Sequence, residues 1–329
     1  MNPLTGLYGA ATALRNTLYD RGVLSSRRLG QPVVSVGNLS VGGSGKTPFV
    51  IALGNLLKAR GIRFDVLARG YRRKTRGVLV VESDGNAADF GDEPLLIARR
   101  LGVPVIVGES RYDAGRVAER KFQPQLHILD DGFQHRSLAR DFDIVLMTER
   151  DFDDRLLPSG RLREPFSSLQ RADAIVLSRD PSGQDFSGHD LTIENLARQG
   201  KLIWRIKREL LLPNLPSAPV VFCGIARPEQ FFAQVRAAGI TPAAEIIFRD
   251  HHAYDLDDIQ ALVRARRDRQ ADGFLTTEKD AINLTPEQHC LEPLAVAELS
   301  LTLDRPRDVV DTILARTIFA RIGDRKPRS

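Results

Sequence analysis

Cysteine is nearly absent. Cys223 and Cys290 are the only two in 329 residues, and neither stands in a Cys-x-x-Cys or Cys/His spacing. A disulfide framework and a zinc site are therefore not indicated, and a reducing compartment fits. Aromatic residues make up only 6% and do not interleave with a basic cluster, which argues against a stacking surface for nucleic acid despite the net charge of +5. No uninterrupted apolar stretch reaches the ~20 residues needed to span a bilayer. The amino terminus also lacks the basic start and compact apolar centre of a signal peptide. No repeat or low-complexity tract is evident. What remains is 42% hydrophobic and 27% charged, a globular composition, in a chain long enough for two domains.

Against these absences stands one dense motif. The apolar strand Val33 to Val36 runs into Gly37-Asn38-Leu39-Ser40-Val41-Gly42-Gly43-Ser44-Gly45-Lys46-Thr47-Pro48, and an apolar helical run, Phe49 to Leu57, follows. Strand, glycine-rich loop and helix in this order form a phosphate-binding P-loop. Gly42, Gly43, Ser44 and Gly45 let backbone N–H groups converge on phosphate oxygens, Lys46 brings a point charge, and the Thr47 hydroxyl suits Mg²⁺. Ser40 stands where the strict pattern has its first glycine.

A second landmark is the apolar strand Leu126 to Leu129, which ends in Asp130-Asp131-Gly132-Phe133-Gln134-His135. P-loop enzymes present a metal-side aspartate in this way; a solvated Asp-Asp-Gly turn is the bland alternative. Further polar clusters are Gly91-Asp92-Glu93-Pro94, Leu157-Pro158 with Arg163-Glu164, Asp250-His251-His252 and Thr277-Glu278-Lys279-Asp280. Each read singly is more simply a helix cap, a loop or a charged helix start. At the amino terminus Leu4, Leu7, Tyr8, Ala11, Leu14 and Leu18 recur at helical spacing, accompanied by Arg15, Arg21, Arg27 and Arg28. Such a helix either lies on anionic lipid or packs its stripe on the protein.

Taken in order, these motifs resemble the tetraacyldisaccharide 4′-kinases of lipid A biosynthesis, from the P-loop to Asp280. Arg72 departs from the resemblance, standing where the family often has a second glycine after Arg-Gly-Tyr. The resemblance implies a bacterial kinase that moves the γ-phosphate of ATP, with Mg²⁺, to the 4′-hydroxyl of an acylated glucosamine disaccharide 1-phosphate. It implies Asp92 and His251 as a carboxylate–imidazole pair beside Lys46; Thr47, Asp130, Asp131 and Glu164 on the metal side; and Gln134 and His135 toward substrate. It further implies work at the cytoplasmic face of the inner membrane, with the anionic membrane surface as a partner. No nucleic acid and no obligate protein partner are expected.

Short apolar strands alternating with helices predict an α/β protein with a mainly parallel sheet. Strands are expected at Phe64–Ala68, Val78–Val81, Val103–Val107, Phe142–Met147 and Ala174–Ser178. The resemblance adds a smaller α/β carboxyl-terminal domain joined by a β-ribbon. Residues 1–30 are then an amphipathic membrane-associating segment, 31–200 the P-loop domain, 201–216 the linker, 217–294 the smaller domain, and 295–329 a return strand and last helix, Arg307 to Ile322. Two other classes share the loop: a P-loop GTPase or metallochaperone, and an ATP-dependent ligase. No Asn-Lys-x-Asp guanine reader and no Cys/His cluster supports the first. The second has no use for a lipid-facing helix.

Overall fold

Runs of β-branched and leucine residues without polar alternation, such as Val33–Asn38 and Phe142–Met147, form strands buried at every position. Burial on both faces is what a parallel sheet between helices demands. The computed structural model describes residues 3–178, 186, 188–212, 215–284 and 286–325; Pro213 and Asn214 of the expected linker lie outside them. The strands are β1 Val33–Asn38, β2 Phe64–Ala68, β3 Leu79–Val80, β4 Val105–Val107, β5 Leu126–Asp130, β6 Phe142–Met147, β7 Ala174–Ser178, β8 Leu202–Leu211, β9 Val220–Cys223, β10 Ala244–Ile247, β11 Phe274–Thr277 and β12 Leu294–Leu303. They join in one sheet in the order β10-β9-β11-β12-β8-β7-β6-β1-β5-β2-β4-β3.

Neighbours pair in parallel except at two places, β3 with β4 and β8 with β12. The second is the expected ribbon, running from Glu298 against Leu211 to Leu303 against Ile206. It divides the sheet into a larger half around β1 and a smaller half of β9 to β12. The expected strand Val78–Val81 contracts to two residues, because it is an antiparallel edge segment paired on one side only.

The helix Lys46–Ala59 buries Phe49, Leu53 and Leu57 completely, each worth about 1.5–3 kcal/mol. Val309, Val310, Ile313 and Leu314 of the helix Pro306–Leu314 enter the same core, so the end of the chain packs back on the larger half. The last helix is not continuous as expected. A π turn at Ala315–Phe319 separates it from Ala320–Arg325, with the buried Thr317 hydroxyl donating to the Ile313 carbonyl (2.6 Å). Under the larger half, His127 is wholly buried between Asp65 (2.9 Å) and Glu119 (3.6 Å). Burial opposes its charge, but the two carboxylates outweigh it and raise the imidazole to about 9.

The amino-terminal helix, Pro3–Asp20, docks through its polar side chains. Tyr8 Oη donates to the Arg163 carbonyl (2.9 Å), buried Asn16 Nδ2 to Glu164 Oε2 (2.8 Å), and Arg15 to the Gln134 carbonyl (2.8 Å). Leu4, Leu7 and Leu14 face outward, 59%, 69% and 61% exposed. Among the described residues no helix is long and apolar enough to cross a membrane.

Candidate active site

β1 and β5 are adjacent and parallel, so the loops at their carboxyl ends share one rim of the sheet, where ligands of open α/β sheets collect. Gly42 and Gly45 take φ of +94° and +86°, whereas Ser40 does not take a positive φ and so needs no glycine. Ser40 instead bridges to Leu162, and Val41 N donates to the Arg161 carbonyl (2.8 Å), tying the loop to the 154–165 segment. A Cβ on Gly45 would come within 2.7 Å of the Arg208 guanidinium. That arginine, from β8, donates to the Ser44 carbonyl (2.5 Å) and braces the loop from the ribbon.

Lys46 Nζ donates to Asn38 Oδ1 (3.1 Å) and lies 3.5 Å from Asp131 Oδ1. Asp131 also accepts both arms of the Arg163 fork at 2.8 and 2.9 Å. Burial works against its charge, yet Lys46 and Arg163 hold its carboxyl well below the usual range. Its neighbour behaves in the opposite way. Asp130 is buried, its Oδ1 has no hydrogen-bond partner, and burial together with Glu93 and Asp131 pushes it up to about 7. Two adjacent aspartates thus differ: Asp130 has no charged partner among the described residues and tends to hold its proton, whereas Asp131 is a committed ion pair. Asp131, just past the strand end, takes φ +49°.

The helix Asp92–Leu101 begins after Gly91, at φ +88°. Across the cleft, His251 follows β10 at φ +58°. Its Nδ1 meets Asp92 Oδ2 at 2.7 Å, joining residues 159 apart in the chain. Burial raises the Asp92 carboxyl, but the His251 hydrogen bond and the Lys279 charge prevail and lower it. The Tyr71 ring stands edge-on to His251, centroids 5.6 Å apart. Arg72 NH1 donates to the Asp250 carbonyl (2.8 Å). It is therefore His251 that reaches Asp92; His252 instead pairs with Asp258 Oδ2 (2.7 Å) in the capping box of the next helix.

The structure does not gather the remaining expected residues as one group. Glu164 was expected on the metal side. Its carboxylate is wholly buried: Oε2 accepts from Asn16 (2.8 Å) and Arg171 (2.9 Å), which ties the amino-terminal helix to this segment, while Oε1, 3.9 Å from Arg15, has no hydrogen-bond partner. Among the described residues no group of three or more His, Cys, Asp or Glu side chains is placed to hold a metal. Gln134 Nε2 donates to the Asn38 carbonyl (3.0 Å), bracing the P-loop strand. His135 faces Arg111, Arg140, Arg69 and Arg15; burial first and these charges second drive it down to about 4. It is neutral at physiological pH within a basic neighbourhood suited to an anion. Sequence reading passed over Asn38, Glu93, Arg163 and Arg208. Arg163 lay in a polar cluster already noted beside Glu164; Arg208, within a strand, carried no such signal.

Over residues 1–318 the chain matches the family profile described as Tetraacyldisaccharide-1-P 4′-kinase. A tetraacyldisaccharide 4′-kinase of Koribacter versatilis is 48% identical over 324 residues, 95% of this chain and 98% of the relative. One from Aquifex aeolicus is 40% identical over 289 residues, 86% and 88% of the two chains. The crystal structure of LpxK from Aquifex aeolicus in complex with ATP superposes with a TM-score of 0.77 at 35% identity, covering 96% of this chain and 98% of that one.

Proposed function

The chain belongs to the tetraacyldisaccharide 4′-kinase family and is an ATP-dependent kinase of lipid A biosynthesis, and from that premise we propose how its residues divide the work. The observation that carries the reading is the 2.7 Å contact of His251 with Asp92, beside the P-loop and facing the same cleft. Phosphoryl transfer needs positioned phosphates, neutralised charge and a proton acceptor for the incoming hydroxyl. The amides of Gly42 to Thr47 cradle the phosphates, and Lys46 exchanges Asp131 for the terminal phosphate. Asp92 and His251 act as one unit on the 4′-hydroxyl of the acylated glucosamine disaccharide 1-phosphate. Gln134 and His135, among the arginines around them, stand toward the anionic substrate.

Thr47 and Asp130 fit Mg²⁺. A buried carboxylate with an unpartnered oxygen, raised to about 7 by burial and neighbouring acids, is what a divalent cation relieves. When bound, the cation neutralises charge on the phosphates. Asp131, already committed to Lys46 and Arg163, serves as the switch partner of the lysine.

We read residues 31–200 as the nucleotide domain, 201–216 as the linker, and 217–294 as the acceptor-side domain. The chain then returns through 295–329. Residues 1–30 are read as the contact with the cytoplasmic face of the inner membrane, because a helix docked by polar groups with leucines outward buries those leucines best in a lipid interface. Each arginine of this segment that reaches an anionic surface adds about 1 kcal/mol. Leu7→Ser with Leu14→Ser should weaken co-sedimentation with anionic vesicles while the melting curve is unchanged; a lowered melting point with sedimentation intact would assign the leucines to packing. The reaction is tested with γ-labelled ATP and the acylated disaccharide 1-phosphate. Label is expected in the lipid product, and label released only as inorganic phosphate would reject the acceptor.

A further inference from the structure

The segment Thr277-Glu278-Lys279-Asp280 has no task in this division of work, yet it sets an ammonium against the Asp92–His251 pair. Lys279 Nζ lies 2.9 Å from Asp250 Oδ1, 3.2 Å from His251 Nε2 and 4.0 Å from Asp92 Oδ2. Its footing is firm. Thr277 caps the helix Glu278–Asn283 by accepting from Asp280 N (3.2 Å) and donates to Asp280 Oδ2 (2.6 Å). Asp280 in turn, wholly buried, accepts from Gly224 N (2.8 Å) and Tyr254 Oη (2.9 Å). The lysine and the histidine loop are thus pinned to the same strand ends.

A lysine ammonium has three donors and no acceptor. The imidazole nitrogen it meets at 3.2 Å must therefore offer a lone pair, which leaves the ring proton on Nδ1, where Asp92 accepts it. We propose that Lys279 is a positioning residue for the transfer: anchored by Asp250, it caps His251 Nε2 and fixes the imidazole as the Nδ1–H tautomer aimed at Asp92. This rests on the reading of Asp92 and His251 as the proton-handling pair. With Nε2 capped, the lone pairs left open are those of Asp92. The hydroxyl proton passes to that carboxylate as the hydroxyl oxygen bonds to the γ-phosphorus. The bond from that phosphorus to the bridging oxygen breaks, and ADP leaves with its electron pair.

The test uses the full chain labelled with ¹⁵N at histidine, with His251 assigned from the His251→Ala spectrum. The unchanged protein should show a protonated Nδ1 and a bare, hydrogen-bonded Nε2. In Lys279→Met the bare, hydrogen-bonded Nε2 signal should be lost while Nδ1, still facing the Asp92 carboxylate, keeps its proton, with kcat down about tenfold or more and KM for ATP little changed. Lys279→Arg should keep the tautomer and recover most of the rate, and adding Lys279→Met to His251→Ala should cost nothing further. An unaltered His251 signature in Lys279→Met, or losses that multiply in the double variant, would overturn the proposal. If Lys279→Met does not fold, Asp250→Asn must give the same spectral change in smaller degree. Full activity of His251→Ala would reject the proton-handling pair instead, and the tautomer, read without turnover, tells the two failures apart.

Discussion

The two halves of the sheet send the carboxyl ends of parallel strands to one cleft with unequal firmness. In the larger half β1 and β5 are buried at every residue and lie between other strands. In the smaller half β10 is an edge strand with alternate residues exposed, and His251 follows it on a loop. The firm half carries the P-loop lysine Lys46 and its ion partner Asp131, with Asn38 and Arg163 bonded to them. The other half brings the imidazole and its lysine. Preorganised charge is worth most where it cannot relax, whereas a group that must admit a substrate is better carried by a part joined through a ribbon. Contacts across the cleft, Arg72 to the Asp250 carbonyl and Arg100 to Glu278, hold the two parts together.

The contrast is tested most severely at Lys46. Lys46→Ala should cut kcat by about 10²–10³-fold with an unchanged melting curve, since the lysine is half-buried and stabilises charge more than fold; a folded variant with near-normal turnover would remove the P-loop from the chemistry. Next come the groups that meet across the cleft. Asp92→Asn and His251→Ala should each lose about 10²-fold, and the double variant should lose little beyond the worse single. Losses that multiply would mean that the halves contribute separately.

Two stability measurements then separate the halves. Asp280→Ala strands the Gly224 amide and the Tyr254 hydroxyl inside the smaller half, and should cost about 2–4 kcal/mol in urea titration. His127 tests the larger half by pH. Its folded-state value of about 9 lies above the 6.5 of a free imidazole. Its contribution is therefore full below pH 6.5 and is lost as pH rises through 9. The urea-midpoint gap between the unchanged protein and His127→Gln should narrow over that interval; a gap independent of pH would mean that His127 is not charged. The smallest effect is expected at Arg72→Ala. Its contact with the Asp250 carbonyl is solvent-exposed, so kcat/KM should fall only about two- to fivefold, with affinity for ATP unchanged.

Local pattern made the larger half legible. An apolar strand, a glycine loop and a helix are contiguous, and Asp130 sits where a buried strand ends, so spacing alone locates them. The meeting of Asp92 with His251 is not written in either segment. Only resemblance to a family paired them, because no short-range rule links residues on two halves of a sheet. Arg208 went unread, and the clusters holding Arg163 and Lys279 were noted without a task for either, for the same reason: a basic residue acquires its task from what the topology sets beside it. Glu164 shows the same limit from the other side: an acid in a loop reads alike whether it faces a metal or an arginine, and its neighbours Asn16 and Arg171 come from distant segments. The amino-terminal helix showed its apolar stripe plainly, but which face would dock depended on Asn16 and Tyr8 finding partners near residue 164.

The ribbon has one more consequence. Leu211, where the chain passes toward the smaller half, and Glu298, where it comes back, are partners on a single rung of the sheet. Everything between them is in effect one long excursion from a hairpin, a cassette whose two ends already touch. Insertions of that kind can be exchanged without disturbing the host. A graft at this rung would exchange His251 and Lys279 together while leaving the P-loop, Asp92 and the core around them in place.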